Sequence, residues 1–260
     1  MLDLAGNILN WLAAGVVFPL MLLPLAGLFS KQKTTAVVFW AGLVVAFVAA
    51  GILFSMATPR LRLAPELQQV SIFAGLLLAA TLCVFVAGGA SKSARVLSRI
   101  FEAATRLTGR AVMWLLLAMA LVQFAVVLLR YVFGINYIFM QESITYMHGF
   151  VFLLAAGYAL LTDDQVRVDI FYRDAPPKRK ALTDLLGTYL FLFPVCLLIV
   201  WSASPYAARS WRVLEGSADA SGIQGVFILK SLIPAFAMLL AMAGFVIAHR
   251  AVETLKGRGG

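Results

Sequence analysis

Residues 130–172 read RYVFGINYIFMQESITYMHGFVFLLAAGYALLTDDQVRVDIFY. An arginine closes one apolar run, a Gly134-to-Asn136 turn follows, and a second run of about 24 residues then carries Gln141, Glu142, Thr145 and His148 before reaching Asp163 and Asp164. A bilayer core of about 30 Å takes about 20 apolar residues per helix. The stretch therefore reads as a transmembrane hairpin whose second arm holds polar groups at membrane depth. Such groups are costly in hydrocarbon and persist where a partner or a function compensates.

The rest of the chain agrees. Of 260 residues, 62% are hydrophobic and 13% charged, too apolar for a soluble domain. Seven runs are long enough to span, at 8–29, 35–57, 69–89, 111–134, 138–161, 182–203 and 226–248. The runs are unbroken, without the ten-residue alternation of barrel strands, so the expected fold is an all-α integral membrane protein of about seven transmembrane helices. The net charge of +9 excludes little by itself. The basic residues lie in short clusters between spans and along no soluble face, which argues against a nucleic-acid partner.

Charge placement sets the expected orientation. If the loop at 90–110 is cytoplasmic, Arg60, Arg62, Arg130, Arg209, Arg212 and Lys230 fall outside and the other fifteen of the 21 basic residues inside, as the positive-inside rule requires. The N-terminus is then periplasmic and the C-terminus cytoplasmic. The first 29 residues lack the basic start of a signal peptide and read as a retained helix. Cys83 and Cys196 each fall within a span and read as small buried hydrophobes.

Between the third and fourth spans, residues 91–110 divide into two faces. Arg95, Arg99, Glu102 and Arg106 recur at i, i+4, i+7 and i+11, with Val96, Leu97, Ile100, Phe101, Ala104 and Leu107 opposite. This reads as an amphipathic helix lying on the cytoplasmic surface against anionic membrane lipid. The expected organisation is a three-helix extension at 1–90, this surface helix at 91–110 and a four-helix membrane domain at 111–256.

Within that domain, Arg130 and Glu142 lie at similar depths on antiparallel neighbours, counting about 1.5 Å per residue from the turn. They are expected to be close enough to pair, with Lys230 as the competing cation. Gln141, Thr145 and His148 repeat at i, i+4 and i+7 and form a stripe that faces protein. It serves either as glue within the chain or as a contact to a second membrane subunit. Tyr206, Arg209, Trp211 and Arg212 fall in an expected outer loop at 202–225 and suit either docking of a periplasmic protein or anchoring at the membrane interface. No residue set suggests catalysis, a metal site or a cofactor. Asp163 and Asp164 come with no further ligands or phosphate cradle.

RYVFGINYIFMQES, a span containing GYALL, and DDQVRVDIFY together resemble the small membrane subunit of tripartite ATP-independent periplasmic (TRAP) transporters. The likeness is in particular to the branch associated with mannitol and chloroaromatic-type substrates. The likeness covers about residues 105–256 and rests on Arg130 with Tyr131, Gln141 with Glu142 in place of the family's acidic pair, and Val166-Arg167-Val168-Asp169. Arg167 and Asp169 are the loop positions that it singles out. The family usually has His where this chain has Gln165, and its typical members have four spans. The resemblance implies a non-catalytic subunit of a sodium-coupled transporter in the bacterial inner membrane. Its expected partners are a large elevator-type subunit, which holds the substrate and sodium sites, and a periplasmic substrate-binding protein that delivers an organic acid or related solute.

Two other readings compete. His148 and His249 could make the chain a haem-carrying anchor of a redox complex, although ligands to one haem share a depth and these two differ by roughly 15 Å along their spans. Alternatively, the seven spans could form a stand-alone transporter.

Overall fold

The computed structural model describes residues 20–21, 23–29, 90–166 and 172–257. Within them the chain is helical, with no strand. The helices are α1 (Leu23–Phe29), α2 (Ala90–Val132), α3 (Ile138–Thr162), α4 (Pro177–Gly187), a π-helical turn (Thr188–Leu192), α5 (Phe193–Val213) and α6 (Val226–Leu255). Four stretches among the described residues are long and apolar enough to cross a membrane: Ala94–Val132, Ile138–Thr162, Pro177–Val213 and Val226–Leu255. They match the last four of the seven expected spans. The first three lie outside the described residues, apart from 20–21 and α1, as do Cys83, Arg167 and Asp169.

The ends of these helices follow from local chemistry. Gly134, at φ 66°, takes the left-handed conformation after α2, and the Ile135 N–H donates back to the Leu129 carbonyl at 3.0 Å. Asp163, at φ 63°, closes α3, with its own N–H and that of Asp164 donating to the Ala159 carbonyl. Pro176 and Pro177 start α4: Pro177 sits in the first turn, where a missing N–H costs nothing. At the junction of α4 and α5 the Phe193 N–H reaches the Thr188 carbonyl, five residues back. This wider turn comes just before Pro194, whose ring would crowd a regular helical turn.

Two expectations change here. The basic stretch at 91–110 is helical but is no separate surface element, because it runs without a break into the following span as the 43-residue α2. Nothing in residues 91–115 stops a helix, since Gly109 is the single weak former and proline is absent. Its buried stripe is Ala94, Ser98, Phe101, Thr105 and Val112, which takes in Phe101 alone of the expected apolar face. The expected outer loop is also shorter. α5 continues to Val213, which places Tyr206, Arg209, Trp211 and Arg212 on a helix and leaves a loop of 214–225.

The described residues form two compact units. One comprises 101–166 and 194–244. In it α3 runs antiparallel to α2 and parallel to α6. Gly157 lets the α3 and α6 backbones close up: a Cβ there would lie 2.9 Å from the Leu239 carbonyl oxygen, the small-residue contact expected of membrane helices. Gly109 of α2 likewise makes room for the Tyr158 ring. α6 is the most buried, with 61% of its most apolar window inside against 6% for α2, so α2 presents broad apolar faces outward.

The other unit comprises 20–21, 23–29, 90–100, 172–193 and 245–257. Ala181 and Leu185 of α4 pack on Ala248, Ala251 and Val252 of α6, with Leu25 and Leu28 of α1, Tyr189 and Leu255 around them. The Tyr189 hydroxyl donates to the Met21 carbonyl at 2.5 Å. The described residues 20–21 and 23–29 are thus fastened to the α4–α5 junction and the C-terminal part of α6.

Candidate functional site

The chemistry of the first unit gathers where α3, α5 and α6 meet the 214–225 loop. Glu142, in the second turn of α3, accepts hydrogen bonds from the Ser217 hydroxyl and from the Ile223 backbone N–H, the latter at 2.5 Å. One turn along the same face, the Tyr146 hydroxyl donates to the Ile223 carbonyl at 3.4 Å. The peptide groups of Ile223 are held on both sides by two residues of one helix, four apart. Gly222 belongs to this arrangement: a Cβ there would lie 2.6 Å from Glu142 Oε2 and would collide with Ser217.

The far side of the loop is fixed by α5 and α6. Lys230 Nζ meets Glu215 Oε2 at 2.5 Å and lies 4.2 Å from the centroid of the Tyr206 ring. The Glu215 carboxyl is held below its usual range, first by the hydrogen bond from Lys230. Trp211 Nε1 donates to Ser231 Oγ at 2.6 Å, and its ring meets Phe227 edge-on with centroids 4.7 Å apart. An aromatic pair of this geometry contributes about 0.5–1.5 kcal/mol beyond area burial. The Phe227 N–H, one of the unserved donors at the start of α6, donates to the Glu215 carbonyl. The loop is therefore tied to three helices.

This corrects the expected pairing. Among the described residues no ion pair joins Arg130 to Glu142, and none joins Lys230 to Glu142. Equal depth did not bring Arg130 and Glu142 together, because successive residues of a helix point about 100° apart. Gln141 lines a groove with Arg130, whereas Glu142 turns toward the loop.

That groove is the second feature. It runs along the α2–α3 hairpin in two parts that share Gln123 and Ile144. One part, of about 360 Å³, is lined by Arg130, Tyr131, Gln141 and Val127; the other, of about 440 Å³, by Met119, Ala120, Thr145 and His148. Gln123, Arg130, Thr145 and His148 are exposed and Gln141 is half-buried. Gln141 donates to Asn136 Oδ1 at 2.7 Å, and His148 stacks on Phe152 at 6.1 Å. The stripe read from the sequence therefore exists and faces outward.

Of the remaining expected residues, Arg95 and Arg99 are exposed, while Arg106 pairs with Glu102 at 3.0 Å. Arg209 and Arg212 are exposed on α5, with Arg209 Nε donating to the Pro205 carbonyl at 3.2 Å. Trp211 is half-buried and engaged inside the unit, where it ties α5 to α6. Cys196 is buried, as expected. His249 is buried as well. Among the described residues no group of three His, Cys, Asp or Glu side chains is placed to hold a metal.

Sequence reasoning missed Tyr146, Ser217, Gly222 and Glu215. Tyr146 was within reach, since it lies one turn from Glu142 on a helix already assigned.

Residues 119–257 match the family model described as tripartite ATP-independent periplasmic transporters, DctQ component. No curated protein matches, and no solved structure does.

Proposed function

The chain belongs to the DctQ component family of tripartite ATP-independent periplasmic transporters, and from that premise we propose that it is the non-catalytic subunit that braces an elevator-type large membrane subunit. As a small component of such a transporter it is a multi-pass membrane protein that works with a large membrane subunit and a periplasmic binding protein. In this reading transport is coupled to sodium, the solute is an organic acid or a related small molecule, and both kinds of site belong to the large subunit. The membrane is the bacterial inner membrane, with the 214–225 loop periplasmic and the C-terminus cytoplasmic.

One observation carries the proposal: the 214–225 loop is fixed to α3 by Glu142 and Tyr146, to α6 by the Glu215–Lys230 pair and to α5 by the Glu215 N–H on the Ser210 carbonyl. A subunit that moves substrate across the membrane needs a movable element at its polar groups. Here the polar groups of the helix ends are spent on immobilising a loop, which suits a static frame against which another subunit moves. The exposed Arg209 and Arg212 beside that loop are the groups proposed to meet the binding protein, and the exposed Arg95 and Arg99 to meet anionic lipid. Residues 1–90, outside the family match, are proposed as an added membrane extension.

Proteoliposomes test the reading. With an inward sodium gradient, uptake of the solute held by the binding protein is expected when the large subunit, the binding protein and this chain are all present. Uptake by this chain alone, or full uptake without it, would overturn the proposal.

A further inference from the structure

We propose that the seam formed by Gln123 and Arg130 of α2 with Gln141, Thr145 and His148 of α3 seats a transmembrane helix of the large subunit. That helix places a carboxylate opposite Arg130 and hydrogen-bonding side chains opposite Thr145 and His148. The inference rests on the small-component reading above and names the surface and chemistry through which the two membrane subunits meet.

The seam is built in register. Arg130 and Gln141 border one part of the groove, and Gln123, Thr145 and His148 border the next. Seven residues separate Gln123 from Arg130, and Gln141 from His148, about 10 Å along each helix. Arg130 has no acidic partner among the described residues. Thr145 makes no hydrogen bond within them, and it lines the groove. Around the seam the same two helices expose Leu116, Leu117, Leu121, Phe124 and Phe152, as lipid contact demands. A polar line inside such a face is the mark of an unfilled protein contact.

Depth decides between occupants. His148 lies ten residues into α3, about 15 Å from its start and so near the middle of a core of about 30 Å. A lipid headgroup could reach Arg130 at the helix end, but the acyl chain below it would leave Gln123, Thr145 and His148 against hydrocarbon with nothing to bond. A second copy seated two-fold on the same face would oppose arginine with a seam that contains no carboxylate. The apolar runs of residues 1–89 contain no acid; Asp3 and Glu66 fall outside them. All five seam residues lie inside the family-matched part of the chain, and residues 1–89 lie outside it, so the surface belongs to the part that serves the shared partner.

The test uses the full chain co-expressed with its large subunit and carrying the photo-cross-linker p-benzoylphenylalanine at Thr145 or, for comparison, at Leu198, which is exposed on α5. The expected result is a large-subunit adduct from Thr145 and little from Leu198. In parallel, Arg130→Glu is expected to lower the co-purified large subunit by about tenfold or more, as loss of a buried charge partner does. Arg130→Lys is expected to retain most of it. The melting temperature of the isolated chain should stay unchanged in both, which separates a lost contact from a lost fold. Adducts to lipid, to a second copy or to residues 1–89, with the two subunits still co-purifying, would overturn this surface while leaving the small-component reading intact. Failure of the unmodified chain to co-purify with the large subunit at all would overturn both.

Discussion

Glu142 of α3 accepts the backbone N–H of Ile223 at 2.5 Å, across 81 residues of chain. With Ser217 on its other oxygen, this carboxylate replaces the water that a loop peptide would otherwise bind, and a buried or half-buried peptide group left without a partner is costly. The contact makes the 214–225 loop part of the helical frame. Glu142→Ala should therefore raise hydrogen exchange across 217–225, with Ile223 most affected, while Glu142→Gln should retain much of the protection because its carbonyl oxygen still accepts. Hydrogen-exchange mass spectrometry reads the difference. Unchanged exchange in the alanine variant would show that the loop is held by other means.

The α3–α6 contact is set by backbone proximity at Gly157, where a Cβ would approach the Leu239 carbonyl oxygen to 2.9 Å. Gly157→Ala must separate the two helices and is expected to cost about 1–3 kcal/mol, the usual effect of overpacking. Thermal unfolding in mild detergent measures it. Gly187→Ala, where nothing lies within 4 Å of the added carbon, is the control, expected to be neutral or stabilising in its helix.

Acid should release the Glu215–Lys230 tie late. The folded-state pKa of Glu215 is depressed, chiefly by the Lys230 hydrogen bond. Its contribution is therefore present at neutral pH, above the unfolded carboxylate value, and is lost as pH falls through the lower folded value. Wild type and Glu215→Gln should differ in melting temperature at neutral pH and converge below the ordinary carboxylate range. A constant difference down to strong acid would show that the ion pair is not its source.

Leu214 follows α5 at φ 47°, a left-handed position that costs a non-glycine residue about 1–2 kcal/mol. The turn is kept because the Glu215 N–H reaches the Ser210 carbonyl and the Leu214 N–H that of Trp211, which serves carbonyls that the helix end would leave open. Leu214→Gly should raise the melting temperature without altering the loop, as the same exchange experiment on 217–225 would show.

The sequence makes the spans legible where polar punctuation is sharp. The run at 138–161 is bounded by the Gly134 turn and the Asp163-Asp164 pair, and α3 ends within one residue of it. Punctuation misleads at α5, where the serines, arginines and Trp211 after residue 201 read as a loop; the helix persists because Trp211 and Tyr206 have partners on α6 that no local rule reveals. At 91–110 the charge pattern assigns residues to faces of a helix but is silent on whether the helix breaks. That Gln141, Thr145 and His148 share one face follows from 3.6-residue spacing, but that this face is turned out of the unit does not. The partner of Glu142 does not, since depth can be counted along a sequence but azimuth, and the path of a twelve-residue loop, are set by tertiary packing.

The most direct test of the central claim is purification of this chain from its native membrane in mild detergent, with co-purifying proteins identified and quantified by mass spectrometry. A large multi-span TRAP subunit recovered near one to one with this chain is the result the account predicts. Recovery of the chain alone, or with a soluble redox subunit and bound haem, would contradict it.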